Sequence, residues 1–452
     1  MKKLLALSIL LALGCLAAAR ASAQAPAAGT SPTTSLESVA TNGEQGNLYS
    51  YAIGISAHGR YVVFSSDATN LVAGDTNEQS DAFVRDRLTG ETTRVSVSSS
   101  GAQAKRSPDP FGGSHAEGIS ADGRLVLFRS DAVNLVPGDT NRAIDVFVHD
   151  RTTGRTRRVS VSSGGRQANG SSELAAISAN GRFVVFTSDA PNLVPGDTNG
   201  VSDVFLRDRV TGKTRRVSVG NGGAQANRWS EGSAVSAGGR FVAFTSFASN
   251  LVSGDTNHLP DVFVRDRATG KTRRVSVASS GRQGTGKPFS NGSNAATISA
   301  DGRYVAFHSD MTNLVPGDTN GVFDMFVRDR ATGSTRRVSV SSAGAQADAE
   351  SLGPPLMSAD GRYVAFASLA SNLVADDAND TTDVFVRDRW TRRTLLVSLG
   401  GGGEQGDDAS WPAAMSADDR YLAFSSWAGN LVADDASPGP DVFVRDFGGL
   451  PN

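Results

Sequence analysis

Carboxylate and amide side chains recur at a fixed spacing in this 452-residue chain, and such side chains bind divalent cations. In the pattern Asp-x-Asn-x3-Asp, the oxygens at positions 1, 3 and 7 resemble the start of a calcium-binding loop. Six copies are complete: Asp75, Asn77 and Asp81; Asp139, Asn141 and Asp145; Asp197, Asn199 and Asp203; Asp255, Asn257 and Asp261; Asp318, Asn320 and Asp324; Asp377, Asn379 and Asp383. A seventh copy keeps Asp435 and Asp441 but has Ser437 in the middle.

Two interpretations of these loops stay open. In the first, each loop binds calcium, with water or backbone carbonyls completing the coordination shell. Asp86 cannot be a further ligand, because an extended strand places it about 16 Å from Asp81. In the second interpretation, which we favour, the Asp and Asn side chains cap their own turns by accepting hydrogen bonds from backbone N–H groups. Calcium is the one cofactor that the sequence suggests.

Other residue types with catalytic chemistry form no recognisable set. The five histidines occupy different positions and lack metal-ligand spacing: His58, His115, His149, His258 and His308. Many arginines belong to Val-Arg-Asp-Arg runs, where a neighbouring Asp neutralises each positive charge. Glu173 and Glu231 are scattered acidic candidates. The sequence therefore favours a non-catalytic protein.

These loops belong to a longer repeat that predicts the fold. The phrase Gly-Arg-(Tyr/Phe/Leu)-Val-(Val/Ala/Leu)-Phe begins at Gly59, Gly123, Gly181, Gly239, Gly302 and Gly361, with a last variant at Asp419. In the third copy, four strand-like runs cover residues 173–178, 183–188, 203–207 and 214–219, separated by turns rich in Gly, Asp and Asn. A period of this length, filled with short strands, predicts an all-β, seven-bladed β-propeller of four-stranded antiparallel blades.

The two ends of the repeat array predict how the ring closes. The seventh copy ends after residues 441–446 and lacks a fourth strand, whereas residues 34–47 align without gaps to the fourth-strand region at 156–169. We therefore expect the N-terminal strand to complete the last blade, which removes two open sheet edges. The predicted organisation is a propeller at 34–446, a flexible linker at 24–33 and a tail at 447–452.

One copy carries a family resemblance. Ser120-Ala121-Asp122-Gly123-Arg124, followed by Leu-Val-Leu-Phe, Asp145-Val146-Phe147-Val148 and a Thr-Gly turn, resembles the WD40-like repeat of bacterial TolB-type propellers. The resemblance covers all seven copies and implies a periplasmic or secreted propeller that binds a partner at the cell envelope. Two departures set the chain apart from TolB: no α/β domain precedes its propeller, and the loop between its second and third strands is longer.

Tryptophans interrupt the repeat pattern. We expect Trp229 and Trp411 to lie in segments between blades, on the same face as the Asp-x-Asn loops. There they either stack on a sugar or a partner side chain or fill gaps between blades.

The N-terminal residues predict export. Met1-Lys2-Lys3 is basic, residues 4–13 are apolar, and Ala21-Ser22-Ala23 fits a signal-peptidase site, so residues 1–23 read as a secretory signal. A lipidated Cys15 is the minor alternative. Removing residues 1–23 takes away three positive charges and changes the formal charge from −2 to −5, which argues against a nucleic-acid partner. We expect a monomeric periplasmic or secreted protein with no transmembrane segment in its mature chain.

Three function classes follow from these features. A protein-interaction or scaffold module is favoured, because closed repeat rings offer a broad rigid face. A calcium-dependent glycan-binding propeller is the alternative. A hydrolase or lyase acting in the central funnel is the third class, and it requires titratable groups that converge from the innermost strands.

Overall fold

The computed structural model describes residues 31–107, 112–286 and 291–448. Within these ranges the regular structure consists of 28 β-strands. No helix in this part of the chain is long and apolar enough to cross a membrane. The predicted signal at 1–23, Cys15, most of the predicted linker and residues 449–452 lie outside the described residues.

The strands form seven four-stranded antiparallel sheets, which are the blades. The first strands of blades 1 to 7 are β2 (Ser50–Ile55), β6 (Ser114–Ile119), β10 (Ser172–Ile177), β14 (Ser230–Val235), β18 (Ser293–Ile298), β22 (Ser351–Met357) and β26 (Ser410–Met415). The second strands are β3 (Tyr61–Ser66), β7 (Leu125–Ser130), β11 (Phe183–Ser188), β15 (Phe241–Ser246), β19 (Tyr304–Ser309), β23 (Tyr363–Ser368) and β27 (Tyr421–Ser426). The third strands are β4 (Asp81–Asp86), β8 (Asp145–Asp150), β12 (Asp203–Asp208), β16 (Asp261–Asp266), β20 (Asp324–Asp329), β24 (Asp383–Asp388) and β28 (Asp441–Asp446). The fourth strands are β5 (Glu91–Arg94), β9 (Arg155–Arg158), β13 (Lys213–Arg216), β17 (Lys271–Arg274), β21 (Ser334–Arg337), β25 (Arg393–Leu396) and, in blade 7, β1 (Thr33–Leu36).

The first strands contact one another in ring order, and β26 of blade 7 contacts β2 of blade 1. They therefore surround the central axis, where small side chains such as Ala175 and Ala296 fit. The seven-bladed propeller that the repeat predicts is confirmed within the described residues.

The core lies between neighbouring blades. Consecutive residues Val62, Val63 and Phe64 are all fully buried, because each face of a blade packs against a different neighbour. Within a blade, Phe64 stacks on Phe83 with ring centroids 5.6 Å apart. The equivalent pair recurs in the other blades, from Phe128 with Phe147 to Phe424 with Phe443. Burial on both faces explains why these strands are apolar at successive positions rather than alternating.

The N-terminal strand closes the ring as predicted. β1 pairs antiparallel with β28, from Thr33 opposite Asp446 to Leu36 opposite Phe443. Beyond the strand, the Ser38 hydroxyl donates to the buried carboxylate of Asp441 at 2.5 Å. The closing segment is thus bound both by its backbone and by side chains.

The fourth strands are shorter than the sequence predicts. In blade 3 the strand ends at Arg216 rather than at residue 219. The Ser218 hydroxyl accepts the N–H of Val204 and donates to Asp203. A side chain here replaces a backbone partner, so the regular ladder stops while the hydrogen bonds continue.

Glycine–arginine turns connect blades 1 to 6 to the preceding blade in the ring, whereas blade 7 has Asp419 at the glycine position. Gly59 has φ +70°, and a Cβ at this position would lie 2.1 Å from the Tyr421 ring of blade 7. Arg60 pairs with Asp86 in its own blade at 2.7 Å, and Arg87 stacks on Tyr421 at 4.7 Å. These turns therefore require a glycine for close approach and use arginine to join strands and blades.

Candidate functional site

Strand register defines two faces of the ring. In blade 1, Ser50 at the start of the first strand lies opposite Ser66, and Ser66 lies opposite Asp81 at the start of the third. The loops between second and third strands therefore share one face with the links between blades, and we call it the upper face. The Gly-Arg turns and the turns between third and fourth strands form the lower face.

In blade 1 the first Asp-x-Asn loop surrounds an arginine. Arg94 of β5 lies 3.2 Å from the Asp75 carboxylate and 3.3 Å from that of Asp81. The side-chain amide of Gln103 donates to Asp75 at 2.8 Å. Ser96 donates to the other oxygen of Asp81 at 2.5 Å. One guanidinium thus neutralises two carboxylates that are largely removed from water.

The same arrangement recurs in blades 1 to 5, with N–O distances of 2.8–3.3 Å. The arginines are Arg94, Arg158, Arg216, Arg274 and Arg337, and their carboxylate pairs are Asp75 with Asp81, Asp139 with Asp145, Asp197 with Asp203, Asp255 with Asp261, and Asp318 with Asp324. In these five blades the fourth strand supplies the counter-charge to the loop.

Blades 6 and 7 lack this arginine. Leu396 lies opposite Phe385 and Leu36 lies opposite Phe443, the register that Arg94 has with Phe83. Gln405 donates to Asp377 at 2.8 Å and to Asp383 at 2.7 Å. Gln45 does the same for Asp435 and Asp441. Among the described residues, no lysine or arginine pairs with these four carboxylates.

Burial raises the pKa of four of the loop carboxyl groups in blades 1, 6 and 7. It raises the pKa of Asp441 in blade 7 to about 6, while the Ser38 hydrogen bond acts in the opposite direction. Burial also raises the pKa of Asp81 to about 6, even though the Arg94 charge opposes the shift. In blade 6, burial raises the pKa of both Asp377 and Asp383. All four carboxyl groups therefore resist ionisation in the folded protein.

The asparagines of the loops bond to their own turns. The Asn77 side-chain oxygen accepts the backbone N–H of Gln79 at 3.2 Å, and its amide donates to Asp81 at 3.1 Å. The other asparagine oxygens accept equivalent hydrogen bonds from the backbone N–H two residues later: Asn141 from Ala143, Asn199 from Val201, Asn257 from Leu259, Asn320 from Val322 and Asn379 from Thr381. Across the described ranges, no three His, Cys, Asp or Glu side chains are grouped to hold a metal ion. Calcium binding by these loops stays a prediction.

The two tryptophans singled out by the sequence have different positions. Trp229 precedes β14 in the link between blades 3 and 4, as predicted, and stacks on Phe247 at 4.0 Å. Trp411 lies within β26, the first strand of blade 7, so its predicted place in a link is wrong. Its neighbour Ser410 already pairs with Ser426, so the first strand of this blade includes Trp411.

Trp411 belongs to a group of exposed aromatic residues on the upper face. We define the aromatic cluster as Tyr49, Tyr51, Trp411 and Trp427, whose exposure is 37–43%. Tyr49 packs against Trp427 with ring centroids 5.5 Å apart. The Ala52 N–H donates to Ser425, the register partner of Trp411, which brings blades 1 and 7 together at this point. Of these four residues, the sequence assigned only Trp411 to a ligand-binding face.

A second group lies on the first strands of blades 2 to 4 and on the second strand of blade 2. We define the polar cluster as His115, Glu117, Arg129, Glu173 and Glu231. Arg129 lies 3.4 Å from Glu117 and 3.7 Å from Glu173. A cavity of about 590 Å³ is lined by His115, Arg129 and Glu173 among others. Glu173 and Glu231 were noted in the sequence, whereas His115, Glu117 and Arg129 were not identified as partners.

The polar cluster contains perturbed titratable groups. Burial raises the pKa of Glu117 to about 7, against the opposing charge of Arg129. Burial lowers the pKa of His115, and Arg129 adds to this effect. One Glu117 oxygen also accepts the backbone N–H of Ala175 in blade 3 at 3.1 Å. Glu117 thus joins two blades and, with a pKa of about 7, is present in both protonated and ionised forms near neutral pH.

Comparison of equivalent positions reveals both clusters. The residue after the first serine of each blade is Tyr51, His115, Glu173, Glu231, Asn294, Leu352 and Trp411 in blades 1 to 7. Arg129 stands where other blades have small residues, His308 in blade 5 excepted. The signal was present in the sequence, but it emerges only when the copies are aligned by strand register.

Known proteins resemble this chain at the level of the fold. No protein-family model matches the chain, and no curated protein matches it. Solved structures similar to it include an oligogalacturonate lyase in complex with manganese, with TM-score 0.52, 12% identity and coverage of 94% of this chain and 97% of that chain.

Two TolB structures are also similar. TolB from Acinetobacter baumannii has TM-score 0.40 and 14% identity, with coverage of 77% of this chain and 62% of that chain. Putative TolB from Agrobacterium tumefaciens has TM-score 0.41 and 16% identity, with coverage of 76% and 92% respectively. This chain therefore spans less than two thirds of the length of the Acinetobacter protein. At 12% identity, the likeness to the lyase shows a shared fold, and that fold is the β-propeller.

Proposed function

We propose that this protein is a non-catalytic, secreted or periplasmic propeller that binds a protein partner through the upper face of blades 7 and 1. The observation that carries the proposal is the aromatic cluster, four large rings that remain 37–43% exposed on a rigid ring. Export rests on the signal pattern of residues 1–23.

Exposed aromatic residues favour binding for a physical reason. Tyrosine and tryptophan bring large contact area at low cost in side-chain entropy, and they are enriched among residues that dominate binding energy. The sheets beneath them need none of this exposed surface for stability, because their cores are already fully buried. Tyr51 lies in β2 and Trp411 lies in β26. Tyr49 directly precedes β2 and Trp427 directly follows β27, so the backbone that carries the rings needs little further ordering on binding.

Capture from envelope extracts tests this proposal. Mature protein and the variants Trp411→Ala and Tyr51→Ala are immobilised, and the bound proteins are identified by mass spectrometry. Trp390→Ala is the matched control, because Trp390 is 60% exposed but lies in the lower-face turn between β24 and β25. We expect the two cluster variants to lose a protein that wild type and Trp390→Ala retain. Equal capture by all four proteins contradicts the proposal.

A hydrolase or lyase in the central funnel is the second candidate, and the polar cluster is the observation that favours it. Glu117, with a pKa of about 7, has the acidity of a general acid. The ion pair of Glu117 with Arg129 and its hydrogen bond from Ala175 are equally consistent with a structural role. Turnover of a polysaccharide or peptide that is lost in Glu117→Gln, with the melting temperature unchanged, is the result that would make this the function.

Tryptophan fluorescence distinguishes glycan binding from protein binding. If a neutral oligosaccharide quenches the fluorescence of wild type but not of Trp411→Ala, the ligand of the upper face is a sugar rather than a protein. Dependence of that signal on calcium would support the calcium-dependent form of the glycan hypothesis.

A further inference from the structure

The surroundings of the aromatic cluster are acidic. The upper-face segments of blades 6, 7 and 1 are residues 36–49, 67–80, 369–382, 397–409 and 427–440, and they contain no lysine or arginine. Their exposed acidic residues include Glu44, Asp376, Asp380, Glu404, Asp407, Asp408 and Asp434. Glu78, at the edge towards blade 2, pairs with Arg106. We call this surface, together with the aromatic cluster, the acidic-aromatic sector.

The rest of the upper face differs in charge. Exposed basic residues occur in the loops and links around blades 2 to 5: Lys105, Arg106, Arg142, Arg166, Arg228 and Arg282. These cations offset acidic residues of the same side, such as the exposed Asp189 and Asp348. Negative charge without nearby exposed cations is therefore concentrated on the side of the ring where the aromatic residues lie.

Carboxylates and rings are close together within the sector. Asp407 accepts the N–H of Gly429, two residues beyond Trp427, at 2.9 Å. Glu44 accepts from the side-chain amide of Asn70 at 3.1 Å, in the link that leads to Tyr49. A cation above the rings would thus be near negative charge as well as π-electron density.

The protein itself uses this combination elsewhere. On the lower face, Arg87 lies over Tyr421 at 4.7 Å, and Arg362 lies over Trp390 at 5.0 Å while pairing with Asp388. Within the described ranges, none of the arginine–ring contacts involves the four rings of the aromatic cluster. Among the described residues, the buried Arg445 interacts electrostatically with Glu404 of the sector. The sector thus has exposed rings and carboxylates, and no described arginine stacks on those rings.

From this charge complementarity we infer that the partner is a polypeptide segment bearing arginine or lysine side chains, which docks on the acidic-aromatic sector. The inference rests on the proposed function and specifies its partner class. Cationic side chains stack on the exposed rings, and the surrounding carboxylates neutralise them and accelerate association.

Defined peptides test the inference directly. The probe is a fluorescein-labelled 12-residue peptide that alternates Arg with Gly and Ser, with matched peptides in which Arg is replaced by Lys, Gln or Glu. Binding to the mature protein is measured by fluorescence anisotropy at 50 and 500 mM NaCl. We expect the Arg and Lys peptides to bind at least about 10-fold more tightly than the Gln peptide at low salt, and to lose that advantage at high salt.

Two triple variants separate local charge from net charge. Glu404→Gln, Asp407→Asn and Asp408→Asn together remove three charges from the sector. The fold tolerates Asn at 407, because Asn47 bonds the equivalent loop in blade 1. The control combines Asp122→Asn, Asp301→Asn and Asp360→Asn on the lower face, where Asn180 is the natural equivalent. We expect the sector variant to bind the Arg peptide about 5-fold or more weakly, and the control to change less than about 2-fold.

The outcomes distinguish the inference from the proposed function. Equal affinity for the Arg and Gln peptides, no binding of either, or equal weakening in both triple variants overturns the basic-partner inference. If Trp411→Ala loses a captured envelope protein that the sector triple variant retains, the interaction function stands and the basic-partner inference fails. If neither variant loses a captured protein, the proposed function fails as well.

Discussion

Blades 6, 7 and 1 and blades 2 to 5 use the same framework to present different chemistry. After the first serine, the former have Leu352, Trp411 and Tyr51, and the latter have His115, Glu173, Glu231 and Asn294. The serine itself is buried and bonded in every blade, as with Ser50 and Ser66. The serine has the same buried, hydrogen-bonded position in each blade, whereas the residue after it differs from blade to blade. Ligand recognition is therefore free to vary at that position while the ring remains intact.

The blades also differ in how they neutralise buried carboxylates, but here blade 1 belongs with blades 2 to 5. Blades 1 to 5 use an internal arginine, whereas blades 6 and 7 have leucine and bridge the pair with glutamine alone. Blade 1 thus resembles blades 2 to 5 in having an arginine at this position, and it resembles blade 7 in having exposed aromatic residues. The two features vary independently around the ring, which makes each testable alone.

We expect the largest effect from removing the N-terminal segment that completes blade 7 and leads into blade 1. Deleting residues 34–47 exposes the edge of β28 and removes the Ser38 and Gln45 bonds to Asp441. We expect aggregation and loss of the cooperative thermal transition, since most of a domain's roughly 5–15 kcal/mol of stability depends on a closed core. A chain that begins at residue 32 is the control and should melt like the mature protein. An unchanged melting curve for the deletion would contradict closure.

Exchanging arginine and leucine tests the carboxylate difference. Arg94→Leu leaves Asp75 and Asp81 without their cation, and we expect a loss of about 2–3 kcal/mol in the free energy of unfolding in urea. The reciprocal Leu396→Arg should gain less than about 1 kcal/mol, because a charge partner replaces apolar packing. Arg106→Leu breaks the exposed pair with Glu78 and should change stability by less than about 0.5 kcal/mol. Similar losses in Arg94→Leu and Arg106→Leu would show that burial of the pair is unimportant.

Blade 7 also departs from the other six at Asp419, which occupies the glycine position of the lower turn. Asp419 has φ +59°, and one carboxylate oxygen is buried without a hydrogen-bond partner. Burial raises its pKa to about 7, assisted by Asp360 and Asp418. At pH 8 the ionised carboxylate destabilises the folded state, so Asp419→Gly should raise the free energy of unfolding by about 1–2 kcal/mol.

This gain should depend on pH. As pH falls through 7, folded wild type takes up a proton that the unfolded chain does not, and wild type becomes more stable relative to the variant. The advantage of Asp419→Gly in urea unfolding should therefore shrink between pH 8 and pH 5. An equal gain at both pH values would refute the raised pKa, and a loss at pH 8 would refute the strain.

The smallest effect is expected from calcium. We expect thermal melts of residues 24–452 in EDTA and in millimolar calcium to superimpose, as turn capping predicts. A rise of several degrees would instead establish binding to the folded state. Loss of that rise in the Leu36→Arg, Leu396→Arg variant would assign the ions to blades 6 and 7, where no arginine holds the carboxylates.

Much of the fold was predictable because it depends on local and periodic features. The recurring Gly-Arg phrase located the second strands, and consecutive apolar residues indicated burial on both faces. The fourth strands were predicted too long, because a side chain such as Ser218 takes over from the backbone ladder. Trp411 was placed in a link, because the sequence does not reveal at which residue pairing begins.

The candidate sites were less predictable. The Asp-x-Asn pattern identified the loops, but not the arginine that reaches both carboxylates from the fourth strand. Nothing in the spacing of Glu117, Arg129 and Glu173 indicates that three strands of two blades bring them together. Side-chain direction and register between strands are properties of the packed sheets.

By itself, the sequence determined the repeat, the number of blades, the burial of the middle strands and the closing role of the N-terminal segment. These follow from periodicity and from the need to pair every sheet edge. Only the tertiary structure decided which side chains meet. Ring closure brings Tyr49 and Tyr51, near one end of the chain, beside Trp411 and Trp427, near the other. Separation along the chain carries no information about such contacts, because a closed ring makes its first and last blades neighbours.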